Sequence, residues 1–434
     1  MENMMPDTKI NEHCVTTDRQ LYRYLIAFTL ILFGTAFIFN SPLEIWQGNI
    51  TIFTSPSNLV TDYFEIANIG AALVNAALMV AQAIIMIKLS KVRLNGLLVA
   101  AVLTVAGFSL FGKNLYNSTP IILGVLAYCR ISKEPFRNFL PVALFGTALG
   151  PLVSEVSFDF GLPTAAGILL GVISGLLAGI VLPPLALHFV NFHKGFNLYN
   201  IGFTAGIVGT FFTAIFRGFG LEVDTVDLVS QGNNQPLAIF LYALFALIFL
   251  LGLGCNRWSL KDYGKLLRES GRGKADFIVK YHHGVAFINM ALLGLLSTTY
   301  VLAVGGELNG PTIGGIFTVA GFGASGKHLR NVLPVLTGVF LVSYFSVHDI
   351  NSTTAVLAAL FGTTLAPVGG YYGFIAGVVS GGIHIMLTTN VSFLHAGMNL
   401  YNNGFSGGFV AAVMVPILDK VFQKSNKNSS TPVE

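Results

Sequence analysis

Long apolar runs separated by short polar intervals set the character of this chain. Runs of about 18 or more residues read as membrane spans, and they recur at 22–40, 66–88, 163–190, 236–254 and 284–304. Mixed apolar segments at 138–153 and 201–216 extend the pattern. The polar first twenty residues precede a full-length span without a small-residue cleavage site, so no cleaved signal peptide is expected. The pattern predicts an all-α polytopic integral membrane protein.

The apolar pattern also repeats. His193 opens H-K-G-F-N-L-Y-N-I-G-F-T-A-G and His395 opens H-A-G-M-N-L-Y-N-N-G-F-S-G-G, nine of fourteen positions being identical at an offset of 202. T-V-A-G-F-x-x-x-G-K ends at Lys113 and again at Lys327, L-F-G-T-A-L-G-P at 144–151 returns as L-F-G-T-T-L-A-P at 360–367, and the order is kept. An internal duplication in so apolar a chain points to a transporter or channel built from two halves.

Charge placement then gives the hand of the repeats, because short cytoplasmic loops are enriched in Lys and Arg. With Lys9, Arg19 and Arg23 inside, segment 44–65 falls outside with no basic residue. The loops at 88–93, 130–137 and 255–281 fall inside and are basic, while Glu222, Asp224 and Asp227 form an acidic outer loop. In the second copy the counterparts of the first two basic loops (305–308 and 346–351) hold no Lys or Arg. Its last segment ends at Lys420, Lys424 and Lys427, where the first copy ended in acid. Only Lys113 and Arg217 escape the inside rule. The two repeats are therefore expected to be inverted, with both termini cytoplasmic.

The organisation that follows is a cytoplasmic tail (1–20), a first half (21–220, duplicated core about 70–217), and a connecting region (221–283). That region comprises an outer loop, a linking span at 236–254 and a basic inner loop. A second repeat core (284–420) and a tail (421–434) complete it. The segments beside Lys113, at 95–111 and 120–128, are short against the roughly 20 residues a crossing needs. Ten spans plus two re-entrant hairpins (95–128 and 309–346) is the preferred count, with fourteen spans as the alternative.

Composition narrows the chemistry. The chain is 53% hydrophobic and 10% charged, against about 25% charged for soluble domains, so the net charge of +4 is no sign of a nucleic-acid partner. Cys14, Cys129 and Cys255 show no metal or disulfide spacing. No H-E-x-x-H, no G-x-S-x-G and no nucleotide-binding loop is present, so neither an enzyme nor a cofactor is expected. Glu134, Glu155 and Asp159 lack counterparts in the second copy and read as loop carboxylates.

Lys113 and Lys327 are the sharpest candidates. A charge near the bilayer centre costs about 2.5–3.5 kcal/mol even on the lenient scale, so lysines at hairpin tips imply a wet cavity, a partner or an anionic ligand. Asn197, Tyr199 and Asn200, with Asn399, Tyr401 and Asn402, could replace a solute's hydration shell, as could Thr147 and Thr363. The glycines that follow read as helix-packing residues. His193 and His395 are candidates for a proton relay.

The paired N-L-Y-N-x-G-F motifs, with the duplicated G-K and F-G-T-x-L-x-P elements, resemble a bacterial membrane family, domain of unknown function 1576, that carries two copies per chain. The likeness spans roughly residues 20 to 420 and implies a bacterial cell membrane location. A fainter similarity is to urea transporters, carried by N-V-L-P-V-L-T-G at Asn331, A-L-F-G-T-T-L-A-P at Ala359 and L-Y-N-N-G-F-S-G-G at Leu400. That family pairs two inverted halves of five spans. The adjacent Asn-Pro of its motif is missing here, and lysines stand where its pore is uncharged. The expected function is a transporter or channel moving a small polar, anionic solute between the repeats. A passive urea- or amide-type channel is the alternative, and a non-transporting scaffold or sensor the second. Expected partners are the lipid bilayer, the solute and a second copy of the chain.

Overall fold

The structure, a computed structural model, describes residues 12–223, 228–273 and 275–428. Lys9, Asp224, Asp227 and Lys274 of the charge pattern lie outside these residues, and the side chains of Cys14, Lys424 and Lys427 lie outside the description too. Among the described residues the regular elements are helices, eight principal ones in each half.

The first repeat holds α1 (Glu12–Phe39), α2 (Ile69–Leu89), a hairpin of α3 (Gly96–Phe108) and α4 (Leu115–Ser132), a broken helix of α5 (Leu140–Gly146) and α6 (Gly150–Phe158), then α7 (Thr164–Phe192) and α8 (Asn200–Gly218). The second repeats that order. It holds α9 (Asn234–Cys255), α10 (His283–Ala303), the hairpin α11 (Gly310–Gly321) and α12 (Leu329–Phe345), the broken helix α13 (Thr353–Gly362) and α14 (Ala366–Tyr372), then α15 (Phe374–Val391) and α16 (Asn402–Asn428). Among the described residues ten helical segments are long and apolar enough to cross a bilayer, five per half, each broken helix counting as one. An odd number of crossings starts the second half from the opposite side, so the repeats are inverted. The chain is a multi-pass helical membrane protein with ten spans and two hairpins. α9 packs on α10 as α1 packs on α2, so the segment at 236–254 is the first span of its repeat.

Each hairpin begins with a helix too short to cross. α3 has 13 residues and α11 has 12, about 20 Å at 1.5 Å per residue. The two run antiparallel through the centre and touch through glycine, where a Cβ on Gly107 would lie 2.8 Å from the Gly314 Cα. Asn95 and Asn309 cap their first turns. Their N-termini are also held from the opposite repeat. The Asp62 carboxylate accepts from the Gly310 N–H at 3.1 Å, and the Asp276 carboxylate accepts from the Gly96 N–H at 2.9 Å. Asp62 accepts from the Phe64 N–H and from the backbone and hydroxyl of Ser230 as well. Burial pushes its carboxyl up to about 6 while those donors pull it down.

The hairpin turns use one solution twice. Gly112 and Gly326 take positive φ, Asn117 and Asn331 donate to their carbonyls, and Asn75 and Asn289 donate to the carbonyls of Lys113 and Lys327. These four amides satisfy turn backbone that lipid could not. Residues 55–62 cover the first turn, where Ser57 donates to the Gly112 carbonyl, and residues 269–273 cover the second, where His328 bonds the Glu269 carbonyl. α1 and α9 carry exposed Leu30, Phe37, Ile38, Ile239 and Leu250 on their outer faces, the surface a helix offers to lipid.

Glu155 departs from the sequence reading. It is buried in α6 at 2% exposure, because the span extends past Val153 to Phe158.

Candidate functional site

The elements that the repeats share meet at their common boundary and exchange partners there. The Leu198 N–H donates to the Thr364 carbonyl and the Leu400 N–H to the Ala148 carbonyl, each at 3.1 Å, so each N-L-Y-N turn docks on the other repeat's broken helix. Asn197 donates to the Gly404 carbonyl at 2.9 Å and Asn399 to the Gly202 carbonyl at 3.2 Å. The glycines make room for this exchange: Gly202 lies under the Tyr401 side chain and Gly404 under that of Tyr199. Packing is thus the use of these glycines, as small residues are used between helices in lipid.

Two composite sites result, one on each side of the boundary. The second joins Lys327 from a hairpin turn, Thr363 from the joint between α13 and α14, and Tyr199 from the other repeat. Lys327 Nζ donates to the Tyr199 hydroxyl at 2.5 Å and to Thr363 Oγ1 at 2.6 Å, and lies 4.4 Å from the Tyr199 ring centroid. The equivalent trio is Lys113, Thr147 and Tyr401, held differently. Lys113 Nζ reaches the Leu144 carbonyl at 3.4 Å, Thr147 donates to that same carbonyl, and the Tyr401 hydroxyl is buried without a hydrogen-bond partner. Both lysines are buried, at 1% and 0% exposure, and among the described residues neither forms an ion pair. A buried ammonium without a counter-ion is costly.

Between the two sites lies an aromatic cluster with the same symmetry. The rings of Tyr199 and Tyr401 are 5.0 Å apart. Phe108 packs on Tyr401 at 4.5 Å and Phe322 on Tyr199 at 4.9 Å, while Phe145 and Phe361 close the outside against Phe322 and Phe108 at 5.7 and 5.6 Å. These six rings pack against one another where the repeats meet. Both phenylalanine pairs sit in the duplicated T-V-A-G-F and L-F-G-T motifs, so repeat identity marked them.

Cavities approach the cluster unequally. One of about 260 Å3, walled by Asn197, Asn200, Phe145, Phe322, Ser325 and both tyrosines, reaches the rings from the side of Gly195 and Gly273. On the opposite side the counterpart, of about 200 Å3, is lined by Asn58, Leu357, Thr388, Gly397, Asn402 and Asn403. It stops short of the tyrosines. Phe111 occupies the position equivalent to Ser325 and is fully buried against Gly314.

His193 and His395 each donate from Nε2 to the following asparagine, Asn200 at 2.9 Å and Asn402 at 3.0 Å. Those asparagines in turn donate to the carbonyls of Ala186 and Thr388. In this geometry the pair orients the N-L-Y-N turns. Among the described residues no three His, Cys, Asp or Glu side chains group as metal ligands.

The chain belongs to the family described as "Protein of unknown function (DUF1576)", whose pattern matches residues 41–218 and 255–420. The two matched stretches begin directly after α1 and at the last residue of α9, so each covers the same elements of its repeat. No curated protein and no solved structure matches the chain, and the similarity to urea transporters therefore rests on the three motifs alone.

Proposed function

We propose that this member of the family is a carrier that moves a small anionic solute across the cell membrane along the boundary between its two repeats. The observation behind this reading is the pair of lysines, one in each hairpin turn, buried and among the described residues without an ion-pair partner, Lys327 lying against the ring cluster where the repeats meet and Lys113 at the equivalent position. An anion supplies what each ammonium lacks. Inverted-repeat transporters bind solute at such a midplane boundary, beside discontinuous helices, and here the breaks at Thr147 and Thr363 stand next to the lysines. The packed ring cluster and the unequal cavities on its two sides favour a carrier over an open amide channel. The distribution of Lys and Arg supports cytoplasmic termini, which puts the larger cavity on the cytoplasmic side. None of these residues is asked to break a bond, so the reading is of transport without catalysis.

The test is flux into proteoliposomes across urea, formate, lactate, succinate and phosphate. Saturable anion uptake, lost in the Lys113→Met/Lys327→Met double variant, is the expected result. Rapid, non-saturating permeation of urea that the double variant keeps would establish the neutral channel instead.

A further inference from the structure

The symmetry of the two repeats fails at one place beside the path. Leu182 packs against Gly146 in the first repeat, and His384 takes the same position against Gly362 in the second. Its neighbours change with it. Ala186, Ile201 and Thr204 of the first repeat are replaced by Thr388, Asn403 and Ser406. The four polar residues bond one another: His384 Nε2 lies 2.9 Å from Asn403 Oδ1 and 3.3 Å from Thr388 Oγ1, and Thr388 bonds Ser406. With Nε2 donating to the amide oxygen, Nδ1 carries the free lone pair, and it is buried without a hydrogen-bond partner. Thr388 and Asn403 line the cavity of about 200 Å3, so water reaches one edge of the network. Gly362, on the other edge, directly precedes Thr363, which holds Lys327.

We propose that His384 is a proton-binding site that couples solute movement to protons, a deepening that rests on the carrier reading above. The step is addition of a proton from water to the Nδ1 lone pair, giving an imidazolium, and its later release; the cavity reaches the Nε2 edge of the network at Thr388 and Asn403, so the ring has to turn for Nδ1 to meet water. Among the described residues no carboxylate is bonded to the network to balance that charge. Of the titratable groups on the elements packed around α15, two connect to it. His395 does so through Asn402 and the Thr388 carbonyl, and Lys327 through its bond to Thr363, the residue after Gly362, against which His384 packs. Tyr372 and Asp419 bond each other, and Arg330, Tyr344, Tyr371 and Lys420 are exposed. Charging His384 beside Lys327 is unfavourable unless an anion is present, so proton and anionic solute enter together. His193 and His395 also bond an asparagine through Nε2 and have an unpartnered Nδ1, but they occur in both repeats, whereas His384 has leucine as its counterpart.

The test has two arms. In purified protein with labelled histidines, the ring signals missing from His384→Leu are assigned to His384 and followed from about pH 8 to about pH 5. Reversible conversion from the Nε2–H tautomer to imidazolium is expected, and a signal that never changes overturns the proposal. In proteoliposomes, a pH gradient should drive uptake of lactate, succinate or phosphate by the unaltered protein. In the triple variant His384→Leu/Thr388→Ala/Asn403→Ile, which copies the packing of the first repeat, exchange should persist while gradient-driven accumulation is lost. Undiminished accumulation in that variant overturns the proton site and leaves the carrier reading intact. Titration of His384 with no anion flux at all overturns the carrier reading and leaves the proton site standing.

Discussion

Tyr199 and Tyr401 are equivalent residues with rings 5.0 Å apart, yet only the Tyr199 hydroxyl has a hydrogen-bond partner. Removing the two hydroxyls should therefore have opposite effects. Tyr199→Phe takes one of two oxygen partners from Lys327 Nζ, a loss of about 1–3 kcal/mol. Tyr401→Phe removes a buried hydroxyl that already lacks a partner and should be neutral or stabilising by up to about 1 kcal/mol. Thermal unfolding of the two variants in detergent checks the difference, and equal losses would mean that the sites are alike in solution.

The same boundary makes a sharp distinction among glycines. A Cβ on Gly202 would meet that of Tyr401 at 2.6 Å, whereas one on Gly218 meets nothing within 4 Å. Gly202→Ala should cost about 1–3 kcal/mol through overpacking. Gly218→Ala, at the end of the same helix, should gain less than about 1 kcal/mol. Melting temperatures of both in one detergent settle the comparison.

Much of this was legible in the sequence, and the limits have physical causes. Runs of apolar residues mark spans because a crossing helix has a fixed length, and the asymmetry of Lys and Arg marks inversion because loops obey the inside rule. The hairpin lysines stood out because both copies carry one beside a short apolar segment, and Lys113 breaks that rule. Which residues touch across the boundary was not legible, since Asp62 and Gly310 are far apart in the chain and meet only through the exchange between repeats. His384 stayed hidden for another reason. Searching for identical residues in two repeats finds shared machinery, and a function lodged in one repeat shows up as a difference, here Leu182 against His384.

The carboxylates that bind the short helices give a graded prediction. Asp62→Ala strands the N–H groups of Phe64, Ser230 and Gly310 and the Ser230 hydroxyl, while Asp276→Ala strands only those of Gly96 and Val279. Each buried donor without a partner costs about 1–3 kcal/mol. Asp62→Ala should fail to accumulate as a monodisperse protein, and Asp276→Ala should survive with a lowered melting temperature. Size-exclusion profiles of solubilised membranes distinguish the two.

The unequal cavities predict unequal access. In a cysteine-free background Asn200→Cys should react with a small aqueous thiol reagent from the side of Gly195, and adding Ser325→Phe should slow that reaction by narrowing the cavity, since phenylalanine stands at that position in the other repeat. Phe111→Ser should speed labelling of Asn402→Cys from the opposite side. Labelling rates unaffected by either exchange would show that residues 111 and 325 do not govern access.

Stability and flux should part company at the lysines. Lys327 and Lys113 are among the largest fully buried side chains, and among the described residues no acid pairs with either amine. Replacing either by methionine keeps the length and removes the polar head, so folding should gain about 1 kcal/mol or more. A residue kept for architecture would show the reverse, because its hydrogen bonds to Tyr199, Thr363 or Leu144 would be worth more than its desolvation costs. If the melting temperature rises while anion uptake falls, the lysines are retained at the expense of stability, the expected sign of a binding site. A fall in both would mean that they brace the hairpin turns, and the solute would then have to be held by the asparagine amides and the ring cluster.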